Sequence, residues 1–142
     1  MHVGPGTDGQ QLLASAREVR LTVKAQKRQI IGSTVFFKDD EAARFWPLFD
    51  QYLGALDVLL DERVVLIQIY AENYHKMDDK LATTYTEEIL EQEEKRTKLK
   101  RTWFRNFAKA VTAKKAAQVF QIENQINRTL DEQLFGSLSR IQ

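Results

Sequence analysis

Apolar residues along this chain recur at steps of three and four, and strict alternation of polar and apolar positions is nowhere sustained. That period predicts helices and no sheet. A first helix over 10–31 places Leu12, Ala16, Val19, Val23 and Ile30 on one stripe, and Gly32-Ser33-Thr34 ends it. A second, over 40–74 and capped by Asp39 or Asp40, carries Ala42, Trp46, Phe49, Leu53, Leu56, Leu60, Ile67 and Tyr74. Arg63 and Tyr70 fill the remaining places of that rhythm, so its seam is not wholly apolar. Pro47 sits about two turns inside; it lacks an N–H and crowds the Ala43 carbonyl, which predicts a kink. The stretch 73–77 reads as a turn, with Asp78 capping a third helix to about Lys109. Leu81, Tyr85, Ile89, Leu99, Trp103 and Phe107 form its apolar face, and Gln92 and Arg96 interrupt it, weakening core packing mid-helix. Thr112 caps a fourth helix through Ala116, Phe120, Ile126, Leu130 and Leu134, which Gly136 ends.

Length turns this pattern into an architecture. Helices of thirty-odd residues are about 50 Å long at a rise of about 1.5 Å per residue. A compact globule formed by a chain of this size is less than about 40 Å across. The expectation is therefore an all-α, elongated fold of four long amphipathic helices. They leave apolar area that a second copy would cover, so a homodimer is expected. One domain over 10–136 is expected, with a disordered arm at 1–9 and a tail at 137–142.

Composition narrows the chemistry. The chain has no cysteine, which removes disulfides, thiolate metal sites and cysteine nucleophiles and fits cytosol and periplasm equally. No apolar run approaches the ~20 residues of a membrane span, so no integral membrane segment is expected. The first nine residues hold no hydrophobic signal core; a removed signal peptide would leave no trace here. Of the two histidines, His2 lies in the arm. His75 lies in a turn near Asp78 and Asp79, where one imidazole with carboxylates would hold a divalent metal only weakly. No phosphate-cradling glycine loop and no activated serine are present, and neighbouring acids such as Glu87 and Glu88 point to different faces. An enzyme is not expected, nor a cofactor, a catalytic residue or a metal ligand.

Charge is informative by placement, since the 142 residues sum to only +1. Glu87, Glu91, Glu94, Lys98, Arg101, Arg105 and Lys109 form one line on the third helix, acids first and bases after. The plainest reading is a solvated face with intrahelical pairs worth ~0.3–0.5 kcal/mol each, in an order that suits the helix dipole. The functional reading is contact. An antiparallel second copy would set acids against bases. Alternatively the bases join Arg17, Arg20, Lys24, Lys27 and Arg28 of the first helix in a positive surface. Nucleic acid is not the expected ligand, because no helix-turn-helix is evident and Trp103 and Phe104 stand where core residues belong. The candidate contact residues of this surface are Arg20, Lys24, Lys98, Arg101 and Arg105, with Phe104 as the apolar contact off the main stripe.

Two stretches echo each other at an offset of 74 residues. Phe37-Lys38-Asp39-Asp40-Glu41-Ala42-Ala43-Arg44-Phe45-Trp46 aligns with Val111-Thr112-Ala113-Lys114-Lys115-Ala116-Ala117-Gln118-Val119-Phe120. Each is an apolar residue, a polar helix start, an Ala-Ala pair and then bulk. The pair resembles a degenerate form of the twin Leu-Thr-x-x-Gln motif of the Spy/CpxP family, small helical periplasmic stress proteins. Thr112 stands as the motif has it; Lys38, Glu41 and Lys115 replace its other threonine and both glutamines. Over residues 12–134 the resemblance implies long bent hairpins intertwined in a curved antiparallel dimer. It also implies a periplasmic location and ATP-independent binding of unfolded proteins. Related roles in stress or metal sensing, and a non-catalytic helical adaptor, remain the alternatives.

Overall fold

The computed structural model describes residues 6–139, with side chains over 10–133. Four helices follow one another: α1 (Gly6–Thr34), α2 (Asp39–Asn73), α3 (Asp79–Ala110) and α4 (Ala113–Ser139). One 3-10 turn, Tyr74–Lys76, follows α2, and the described residues include no strand.

The boundaries have local causes. Val35 closes α1 by donating its N–H to the Ile31 carbonyl at 2.9 Å. The Lys38 N–H, just before α2, is taken by Glu41 Oε1 at 2.9 Å. Asp78 caps α3 by accepting the Leu81 N–H at 2.8 Å, and Thr112 Oγ1 caps α4 by accepting from Lys115 N at 3.1 Å. Each cap satisfies a donor that the first helical turn leaves without an intrahelical partner. At the other end of α3 the Ala110 carbonyl accepts from Arg44 Nε of α2 at 2.8 Å.

α2 continues as helix on both sides of Pro47. Two sequence expectations shift. α1 begins at Gly6, so 6–9 are helical and only 1–5 of the expected arm lie outside the described residues. Thr7 and Asp8 suit a helix start. α4 passes through Gly136 to Ser139, leaving only 140–142 of the expected tail outside. A helical glycine costs about 1 kcal/mol, which does not by itself stop a helix.

Successive helices run antiparallel. Along α1 and α2 the contacts step from Arg17–Asp61 to Arg28–Asp50; along α2 and α3 they step from Gln92–Glu62 to Arg44–Ala110. α4 packs on α3, α1 and α2, whereas α1 and α3 make no contact among the described residues and lie across the bundle from each other. α2 and α4 therefore run parallel across the other diagonal, joined at Glu41–Lys115 and at Tyr52–Glu123.

The apolar interior is divided unequally. The larger cluster gathers Ile31, Val35, Phe45, Phe49, Tyr52, Phe107, Val119 and Phe120 around the starts of α2 and α4 and the ends of α1 and α3. Its rings pack closely: Phe45–Phe49 centroids lie 5.4 Å apart, Phe45–Phe107 5.1 Å and Tyr52–Phe120 5.6 Å. Such pairs add roughly 0.5–1.5 kcal/mol each beyond burial. The smaller cluster is Ala16, Val64 and Ile67, flanked by Leu12 and Leu13. On α1 the interior residue is Ile31; Ile30, expected on the stripe, is 41% exposed. The shift by one position follows from α1 packing on both α2 and α4, which rotates its inner face toward 16, 23, 27 and 31.

Candidate functional site

A layer of buried polar groups crosses the bundle at the level of Tyr52, against the larger apolar cluster, and three helices supply its centre. Glu123 of α4 is fully buried. Its Oε1 accepts from Lys27 Nζ of α1 at 2.9 Å, from Tyr52 OH of α2 at 2.9 Å and from Asn127 Nδ2 of α4 at 2.6 Å. α3 closes the layer on the solvent side, where Arg96 pairs with Asp131 at 3.2 Å. Glu123 Oε2 and Asn127 Oδ1 are buried and accept no hydrogen bond among the described residues. Burial pushes the Lys27 ammonium below its ordinary range against the pull of Glu123, and burial raises the Tyr52 phenol well above its own. Lys100, half-buried beside this layer, is also lowered by burial and then by the Arg96 charge. A charge taken out of water must be paired and hydrogen-bonded to be tolerated, and the Lys27–Glu123 pair meets that condition.

The other bases of α1 are paired across helices as well, from the buried Arg20 out to the exposed Arg17 and Arg28. Arg20 is 4% exposed and pairs with Asp61, while its Nε lies 3.2 Å from Asp57 Oδ1 off the hydrogen-bonding line. Lys24 pairs with Asp57, Arg17 with Asp61 at 3.1 Å and Arg28 with Asp50. Every base of α1 is thus engaged by an acid of α2 or α4. Arg20 and Lys24, expected at a capture surface, are instead internal ties between α1 and α2. The acids Asp57 and Asp61 stand four apart on the flank of α2 that faces them, and that pairing decides the matter.

α3 treats its bases differently. Lys98, Arg101 and Arg105 are exposed, and none of the three forms an ion pair among the described residues. Glu87, Glu91, Glu94 and Lys109 are exposed on the same face. Phe104 is half-buried and packs edge-on against Phe120 at 6.2 Å, so it belongs partly to the core. Leu90, 52% exposed, is the apolar residue that α3 presents outward beside this line. Of the six candidate residues the fold brings together Lys98, Arg101, Phe104 and Arg105 on one helix. It places Arg20 and Lys24 on α1, which does not touch α3 among the described residues.

The two echoed stretches meet. Glu41 and Lys115, equivalent across the 74-residue offset, form an ion pair at 2.5 Å. The hydrogen bond from Lys115 and that from the Lys38 backbone hold the Glu41 carboxyl below its ordinary range.

Among the described residues no group of three or more His, Asp or Glu side chains is placed to hold a metal ion. His75, Asp78 and Asp79 are all exposed. No helix of the described residues is long and apolar enough to cross a membrane. Glu123 and Asn127 escaped the sequence reading; their only signal was the spacing 116, 119, 120, 123, 127, 130, which is a core row with two polar members. No protein-family model, curated protein or solved structure matches the chain.

Proposed function

We propose that this protein binds unfolded or partner protein segments without ATP, as a chaperone-like stress protein of the periplasm, and performs no catalysis. The observation that carries the reading is the contrast between the two basic helices. Every base of α1 is paired within the fold, while Lys98, Arg101 and Arg105 stand exposed and without an ion pair among the described residues, on the helix that also presents Leu90 and the edge of Phe104. Exposed bases attract acidic segments over a Debye length of ~8 Å at physiological salt, and the adjoining apolar atoms retain hydrophobic side chains. The resemblance of the twin motif to the Spy/CpxP family supports both the activity and the location. Rim charges act mainly on association rate. R101E/R105E is therefore expected to slow suppression of aggregation of an unrelated denatured protein several-fold at low salt, with helix content unchanged. Added salt should weaken the wild type toward the variant. Equal suppression by the folded variant at low salt would remove this surface from the reading.

The same α3 line is self-complementary, so a second copy lying antiparallel on it is the expected dimer and a competitor for the client. A second reading, a helical adaptor docked on a folded partner, draws on a different face. Val58, Val65 and Ile69 are exposed along one outer row of α2, at spacings of seven and four.

A further inference from the structure

α1 is held in two different ways along its length. Its last turns are locked by apolar packing, with Ile31 and Val35 buried in the aromatic cluster. Over 10–24 the apolar hold is thin. Ala16 packs against Val64 and Ile67 with Leu12 and Leu13 at the margin, Val23 is buried, and Leu21 points outward. That stretch is instead tied by charge: Arg17, Arg20 and Lys24 share the two carboxylates Asp57 and Asp61. Both carboxylates remain roughly a quarter exposed, as does Lys24, and Arg17 is more than half exposed, so salt reaches these pairs from the acid side even where Arg20 is buried. The Lys27–Glu123 pair that follows is buried on both sides and is shielded from salt. Screening lengths fall from about 10 Å at 0.1 M to 3 Å at 1 M, and partly exposed pairs weaken with them while buried ones do not.

We propose that residues 10–24 form a salt-releasable strap over Val64 and Ile67, hinged at the Lys27–Glu123 layer. Release uncovers those two apolar side chains with Asp57 and Asp61 beside them. The freed trough is acidic and apolar at once, and it is complementary to a basic amphipathic helix, the chemistry that α1 itself presents. Only the use of the trough rests on the reading of this protein as a segment binder; the strap stands on the geometry of α1.

Native-state hydrogen exchange on the full chain tests it without any client. Between about 0.02 M and 0.5 M NaCl the amides of 12–24 should exchange about threefold faster or more, while those of 45–53 and 116–120 hold their rates. D57N/D61N should speed exchange over 12–24 already at low salt and lose most of the salt response. Exchange over 12–24 that ignores salt, or that rises in step with the aromatic core, would overturn the proposal. The wild-type series decides the matter if the variant does not fold. Failure of the α3 charge reversal would leave this exchange pattern intact, and failure here would leave capture by α3 intact.

Discussion

Glu123 receives three donors on a single oxygen, and the consequences of substituting it follow from that. Glu123→Gln keeps an acceptor for Tyr52 and Asn127 but removes the charge opposite Lys27, whose ammonium is then buried without compensation. Breaking one side of a buried pair costs about 3–5 kcal/mol, whereas removing both charges is often near neutral. Urea unfolding should therefore show E123Q destabilised by about 3 kcal/mol, and K27M/E123Q should recover most of the loss. A single variant within about 1 kcal/mol of wild type would mean that Lys27 finds another partner. This residue also marks where the sequence stops being legible. Interior positions are recognised by their apolarity, so a glutamate and an asparagine at core spacing pass unnoticed between Phe120 and Leu130. Arg20 and Lys24 mislead for the same reason: a cation reads as surface until the acid opposite it is known, and Asp57 and Asp61 lie more than thirty residues away in sequence.

Elements were more readable than residues, because caps and periods are local. Asp78 and Thr112 cap α3 and α4 as their sequence contexts predict, and Gln92 and Arg96 interrupt the apolar face of α3 as expected. Gln92 is buried against Glu62 at 2.9 Å and the half-buried Arg96 pairs with Asp131, so polar pairs replace apolar packing there. What no local pattern discloses is that the echoed starts of α2 and α4 lie side by side, since this requires knowing that the two helices run parallel across the bundle. The same local physics makes one substitution simple. Gly54 lies mid-α2, exposed, and a Cβ built there meets no heavy atom within 4 Å. Gly54→Ala restricts the unfolded chain and adds nothing to collide in the folded one, so it should stabilise by about 0.5–1 kcal/mol. Thermal unfolding checks it; an unchanged or lowered midpoint would place an unseen partner against that face of α2.

At the scale of the whole molecule the open question is what lies against α3. The bundle satisfies its aromatic interior within one chain, so association has to come from the outside faces, and the charge line on α3 is the ordered one. Two copies laid antiparallel about Lys98 bring Glu94 toward Arg101 of the second copy and Glu91 toward Arg105, while the two Lys98 side chains face each other. Exposed pairs are individually weak, typically 0.2–1 kcal/mol, so the dimer we propose is modest and salt-labile. Sedimentation velocity at tens of micromolar and low salt should detect it, and added salt should dissolve it. Charge swapping is the sharper measurement. R101E/R105E alone and E91K/E94K alone should each sediment as monomer, because like charges then face each other across the two-fold axis. An equal mixture of the two should restore association, since each supplies the charges the other has lost. If the mixture stays monomeric while wild type dimerises, the copies meet elsewhere, and the exposed row Val58, Val65 and Ile69 on α2 becomes the face to substitute next. If wild type is monomeric under every condition, Lys98, Arg101 and Arg105 are left wholly to the client. Capture per chain should then be independent of protein concentration rather than falling as copies compete for the same bases.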